Sequence, residues 1–171
     1  MPEKLKVAVV MGSDSDFPVL KKCIQTLKQF QIMTEVHVIS AHRTPYLAEE
    51  LARNAELEGT GVIIAAAGKA AHLAGVLAAY TVVPVIGLPI QSSTMDGLDS
   101  LLSMVQMPKG VPVATVAING AENAALLAVQ ILSLAHPELK QALKAHRKQM
   151  TEDVMENDRM IKKEARLLLD I

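Results

Sequence analysis

The sequence predicts an α/β fold: a single-domain, three-layer αβα sandwich around five parallel strands, with a long C-terminal helix. Three observations predict it. Short unbroken apolar runs, such as residues 7–11 and 62–66, have the composition of strands buried on both faces. A loop follows each run, and then a stretch whose apolar residues recur at spacings of three and four, as on one face of a helix. Finally, 171 residues with 50% hydrophobic content suit one sizeable core and leave little for a second domain.

The first strand, residues 7–11, ends at Gly12-Ser13-Asp14-Ser15-Asp16. Gly12 permits close backbone approach, Ser13 and Ser15 offer hydroxyls, and the amides opening the next helix point toward an anion. The two carboxylates repel phosphate but accept hydrogen bonds from ribose hydroxyls. Helix capping by Ser15 or Asp16, ahead of Pro18, explains the same residues without a ligand. Over residues 18–30, Leu20, Cys23, Ile24, Leu27 and Phe30 share a helical face, which makes Cys23 a buried thiol rather than a nucleophile. Residues 35–39 read as the second strand, with His37 alternating with Val36 and Val38 as a structural or surface histidine on the opposite face.

At that strand's carboxyl end comes Ser40-Ala41-His42-Arg43-Thr44-Pro45, where Thr44 is an N-cap and Pro45 the first helical residue. In open parallel sheets, ligands bind outside the carboxyl ends of the strands. His42 can donate or accept a proton near neutrality, and Arg43 can grip phosphate or carboxylate with its planar fork. A helix-capping His42 and a solvated Arg43 fit the same pattern.

Leu47, Ala48, Leu51, Ala52 and Ala55 mark the second helix, ending near Glu58-Gly59. The third strand, 62–66, runs into Ala67-Gly68-Lys69-Ala70-Ala71-His72-Leu73-Ala74-Gly75, whose small residues let backbone crowd a ligand or another subunit. A fourth strand at 85–88, a helix at 96–105, a fifth strand at 113–118 and a helix at 122–134 complete five βα units. The polar loop Gln91-Ser92-Ser93-Thr94 either borders the site or is a simple connector. Residues 137–169 are helix-biased and charged, with Leu139, Leu143, His146 and Met150 on one stripe. With little sheet left to cover, this helix is expected to pack on a neighbouring subunit, His136 and His146 serving as surface or packing residues.

Composition narrows the function. A net charge of -1 provides no field to attract nucleic acid or an anionic membrane, and 2% aromatics leave few platforms for base stacking. The single Cys23, the lack of a long apolar leader and the lack of any apolar run near the roughly 20 residues of a membrane span point to a soluble protein of a reducing cytoplasm.

Taken together, the loops Gly-Ser-Asp-Ser-Asp, Ser-Ala-His-Arg-Thr-Pro and Ala-Gly-Lys-Ala-Ala-His-Leu-Ala-Gly resemble those of the PurE family of purine biosynthesis. The resemblance continues through Pro84-Val85-Ile86-Gly87-Leu88-Pro89, residues 99–108 and residues 123–128, and spans roughly residues 6–155. It implies a flavodoxin-like sheet of order 2-1-3-4-5 in one PurE-like domain, 1–171, with an N-terminal arm at 1–5 and a C-terminal helical extension from about 137. It implies the class I activity: a carboxylate moves from the exocyclic nitrogen of N5-carboxyaminoimidazole ribonucleotide (N5-CAIR) to ring carbon C4, by way of transient CO2, without ATP, metal or other cofactor. It also implies a cytoplasmic homo-octamer with no nucleic-acid or membrane partner. By resemblance His42 is the catalytic acid and base. Ser13, Asp16 and Arg43 contact the ribose phosphate, and Ser40, Ala41, Gly68, Lys69, His72 and Leu73 line the rest of the pocket. His72 fits a capping or interface role equally well.

This chain departs from the family pattern at Ala66, Lys69 and Ala74, which replace two glycines and a proline. A Lys69 side chain directed outward is expected, because a charged group is seldom buried unpaired. Two other readings stand beside the mutase: a class II carboxylase adding free CO2 to aminoimidazole ribonucleotide, and a non-catalytic nucleotide-binding flavodoxin-like protein.

Overall fold

The computed structural model describes residues 5–93 and 95–169. Most of the expected N-terminal arm, Thr94 of the polar loop and the last two residues of the extension lie outside the described residues. The chain divides into two compact units, meeting in sequence at Leu132 and Ser133.

The first unit holds β1 (Lys6–Met11), α1 (Phe17–Gln29), β2 (Met33–Val38), α2 (Pro45–Asn54), β3 (Thr60–Gly68), α3 (Leu73–Tyr80), β4 (Val85–Ile90), α4 (Leu98–Val105), β5 (Ala114–Thr115) and α5 (Ala121–Leu132). Its strands form one parallel sheet in the order β2-β1-β3-β4-β5. Apart from Lys6 and Thr60 at their first positions, the central strands β1, β3 and β4 carry no polar side chain, because both their faces are covered. Ala8, Val10, Ile63, Ala65 and Ala67 face a cluster built with Ala48 and Ala52 of α2, Leu73, Ala74 and Leu77 of α3, and Met104 of α4. Alternate residues turn to the other face, the side of α1 and α5, which pack on each other. Alanines on α2, α3 and β3 let these layers approach closely.

Two local features recur below. At the start of β1, the buried Lys6 ammonium pairs with Glu35 at 2.8 Å and Glu58 at 3.3 Å. Burial alone would lower its pKa, but hydrogen bonds to Glu35 and Glu58 outweigh that and raise it. At the end of α1, Gln31 takes a left-handed φ of 59° while its N–H donates to Lys28 O at 3.0 Å and that of Ile32 to Leu27 O at 3.1 Å. These two bonds form a Schellman closure, with glutamine where glycine is usual.

Several boundaries differ from the sequence reading. Regular helix α2 stops at Asn54, although a further turn carries the chain to Gly59, whose φ of +73° lets Thr60 N–H close onto Ala55 O at 2.8 Å. α4 begins at Leu98 rather than 96, because Asp96 and Gly97 both adopt positive φ. β5 has two residues instead of six. As an edge strand it bonds on one side only, and its continuation keeps isolated contacts to β4, from Val116 N to Gly87 O (3.0 Å) and from Asn119 N to Pro89 O (2.8 Å). On β2, His37 does lie opposite Val36 and Val38, but the valines are exposed and the histidine is half-buried.

The second unit contains α6 (Pro137–Leu168), 32 residues long, or about 48 Å at the α-helical rise. Its own i,i+3 and i,i+4 ion pairs, Lys148–Glu152, Arg159–Glu156 and Lys162–Asp158, support it as a helix. No helix among the described residues is long and apolar enough to cross a membrane.

Candidate active site

Loops leaving the carboxyl ends of β1, β2, β3 and β4 surround one cavity of about 590 Å³, within the size range of small-molecule sites. All ten residues singled out by resemblance line it: Ser13, Asp16, Ser40, Ala41, His42, Arg43, Gly68, Lys69, His72 and Leu73. Gln91, Ser92 and Ser93 join them, so the loop after β4 borders the cavity rather than merely connecting elements.

The first loop is held by its own hydroxyls. Ser13 Oγ accepts from Ser15 N–H at 3.3 Å and from Ser15 Oγ at 2.9 Å. Ser13, not Ser15 or Asp16, therefore caps the short 3₁₀ turn here, and Asp16 makes no side-chain cap. Asp16 is nearly buried, at 7% exposure. Burial, helped by the neighbouring charge of Asp14, raises its pKa against the lowering hydrogen bonds from Ser15 and Ser13.

In the second loop, Thr44 is placed as the N-cap of α2 but does not cap it. Its hydroxyl turns back to Ser40, accepting from Ser40 N–H at 3.0 Å and donating to Ser40 O at 3.1 Å. Ser40 Oγ accepts from Arg43 through the backbone N–H at 3.2 Å and Nε at 3.4 Å. This closed turn holds Arg43 in place and leaves His42 free to project.

His42 does not cap a helix. Its Nε2 lies 2.9 Å from His72 Nδ1, with the rings edge-to-face and their centroids 5.1 Å apart. His72 occupies the N-cap position of α3 without a side-chain cap bond. One ring must donate and the other accept, so the pair can share a single proton. This pairing across 30 residues is the main feature that the sequence reading missed; only the placement of both histidines after strands hinted at it.

Lys69 is exposed, has a left-handed φ of 57°, and has no ion-pair partner among the described residues. It is exposed and at the same time lines the cavity, so its exposure does not separate an outward side chain from one turned to a ligand. The loop after β4 is fixed from behind: Gln91 N–H donates to Asn119 Oδ1 at 3.0 Å, Asn119 Nδ2 donates to Gln91 Oε1 at 3.2 Å, and Ser92 Oγ donates to Asp99 at 3.0 Å. The sequence does not mark Asn119 or Asp99 as supports of this loop: Asn119 reaches it across 28 residues, and Asp99 enters only as part of the stretch 99–108 that carries the resemblance. Cys23 is buried within the first unit, and its pKa is pushed up to about 12 by burial. Among the described residues, no group of three or more His, Cys, Asp or Glu is arranged to hold a metal ion.

Comparison with known proteins adds a consistent set of relatives. A family model described as AIR carboxylase matches residues 6–153. A Pyrococcus abyssi protein is 60% identical over 145 residues, covering 85% of this chain and 83% of that one. A Thermotoga maritima protein is 52% identical over 151 residues, covering 88% of each. A Mycobacterium tuberculosis protein is 52% identical over 156 residues, covering 91% and 90%. Each of the three is named N5-carboxyaminoimidazole ribonucleotide mutase. Among solved structures, Treponema denticola PurE aligns with a TM-score of 0.82 at 29% identity, covering 90% of this chain and 96% of that one.

Proposed function

Because the chain belongs to the AIR carboxylase family, we propose that it is an N5-carboxyaminoimidazole ribonucleotide mutase, an isomerase of purine biosynthesis that converts N5-CAIR to 4-carboxy-AIR. The observation that carries this reading is the His42–His72 pair in a cavity also lined by Arg43, Ser13 and Asp16. It provides one movable proton beside groups suited to a nucleotide.

His42, as the imidazolium, protonates the exocyclic nitrogen of N5-CAIR. The N–C bond then breaks, its electrons stay on nitrogen, and neutral CO2 and aminoimidazole ribonucleotide remain in the cavity. Ring carbon C4, electron-rich as the enamine carbon, attacks CO2 and forms the new C–C bond. Neutral His42 removes the C4 proton, which restores aromaticity and returns the imidazolium. The proton balance is closed, and such a group is worth roughly 10²- to 10⁴-fold in rate. His72 holds the His42 ring and accepts or returns its hydrogen bond as the charge changes.

Arg43 suits the phosphate as a charged fork already oriented by Ser40. Asp16 suits the ribose hydroxyls as an acceptor, with Ser13 beside it. Ala41, Gly68 and Leu73 give CO2 small apolar walls within a cavity whose lining is otherwise largely polar. The reading further takes residues 1–171 as one domain with a helical extension. It also takes the enzyme as a cytoplasmic homo-octamer in which α6 packs on a neighbouring subunit, and which needs no metal or other cofactor.

The test compares formation of 4-carboxy-AIR by the purified protein, without ATP, from N5-CAIR and from aminoimidazole ribonucleotide plus bicarbonate. Fast conversion of N5-CAIR alone is expected. Preference for free CO2 would make the protein a carboxylase, and no conversion of either would leave a nucleotide-binding protein.

A further inference from the structure

Two cationic side chains line the cavity, and only one of them is committed. Arg43 is anchored to Ser40 through two hydrogen bonds, and its planar fork matches a phosphate. Lys69 is exposed, pairs with no carboxylate among the described residues, and holds a φ of 57° that side chains with a Cβ rarely adopt. Neither the packing nor the electrostatics of the fold requires a lysine there. Gln31, Met95, Asp96 and Asn119 also hold positive φ, but among these described residues Lys69 is the one that lines the cavity, and it is that placement of a strained, unpaired cation that points to the ligand.

We propose that Lys69 is a specificity-determining residue whose ammonium holds the carboxylate of the carboxylated nucleotide, selecting it over uncarboxylated or amidated nucleotides. This rests on the mutase reading. With Arg43 on the phosphate, Lys69 remains as the cation for the second anionic group of the ligand. The interaction has a definite kinetic character. The carboxylate is charged in substrate and in product, but the CO2 between them is neutral. Lys69 therefore binds the two end states and relaxes in the middle, so its loss raises KM while kcat stays level or rises.

The experiment measures, by calorimetry on the full chain, binding of the C4-carboxylate nucleotide and of its neutral C4-carboxamide isostere to wild type, K69M and K69R. Methionine keeps the apolar stem and removes only the charge. In K69M the preference for carboxylate should fall about tenfold, equivalent to about 1.4 kcal/mol, with carboxamide affinity unchanged within about twofold and most of the preference retained in K69R. An equal loss for both ligands, or no change in either, would overturn the proposal. If wild type converts N5-CAIR while K69M shows either of those results, this assignment alone falls. If wild type neither converts N5-CAIR nor binds either nucleotide, the mutase reading falls with it.

Discussion

Replacing Lys69 by glycine should stabilise the unliganded protein while weakening its hold on carboxylated ligands. Lys69 and Gln31 share nearly the same left-handed backbone, with φ of 57° and 59°. A side chain with a Cβ pays about 1–2 kcal/mol in that region. Glycine removes this cost but gains conformational freedom in the unfolded chain, which returns about 0.4–1 kcal/mol. The difference is a net stabilisation of about 0.5–1 kcal/mol, and for a chain of this size each kcal/mol moves Tm by about 2–4 °C. Thermal unfolding of K69G and Q31G, at one protein concentration and without ligand, should therefore raise Tm by about 1–4 °C in each. Only K69G should also lose carboxylate preference, because Gln31 closes α1 away from the cavity. A lowered Tm in both variants would refute the strain argument. A lowered Tm in K69G alone would show that the lysine side chain makes a stabilising contact, against the unpartnered state described above.

Other outcomes follow from the same geometry. H42N should retain nucleotide affinity while turnover drops by about 10²- to 10⁴-fold; substantial retained turnover would remove His42 from the proton-transfer role. Asp16 has a raised pKa, so the folded state holds its proton more tightly than the unfolded chain does, and the stability this gives at low pH is lost as pH rises through the ordinary carboxyl range to the raised value. D16N should remove that pH dependence and leave the unliganded protein at neutral pH as stable or more so, while nucleotide binding weakens; a D16N protein that is less stable at pH 7 would show that the carboxylate is a structural anchor. The Cys23 thiol, buried and with its pKa pushed up to about 12, should resist thiol reagents in native protein and react only as the chain unfolds, a contrast read directly by comparing labelling in buffer and in denaturant.

The strands and the loops after them were legible because a strand buried on both faces leaves an apolar run, and a loop at its end interrupts that run. Residues 7–11 and 62–66 carry this signal, and the observed strands extend it by only a few residues. The order β2-β1-β3-β4-β5 was read from resemblance, since no local residue encodes which strands become neighbours. Pairing of His42 with His72, and of Asn119 with Gln91, depends on how far each strand runs before its loop begins. Those contacts span 30 and 28 residues, and periodicity is silent over such distances. Thr44 misled for a related reason: threonine before proline suits a helix cap, but Ser40 offered its hydroxyl two backbone partners in the same turn. β5 was overestimated because apolar composition does not show whether a partner's hydrogen-bonding groups lie in step: residues 113–118 are half-buried or exposed, and only Ala114 and Thr115 join the ladder.

The buried Lys6 bears on a problem that the apolar core cannot solve alone. Along β1 the residues Val7, Ala8, Val9 and Val10 are all buried, and sliding them past β2 or β3 would exchange one small apolar side chain for another. Burial therefore specifies the alignment of the central strand only weakly. Lys6 sits beside Met33 on one side and Thr60 on the other, and its ammonium meets Glu35 and Glu58 only in that alignment. A chain that zipped up out of step would bury a cation without its carboxylates, at a cost of several kcal/mol. One charge at the foot of the sheet thus makes misaligned sheets unstable, and in doing so sets the heights at which the strand ends deliver His42 and His72 to each other.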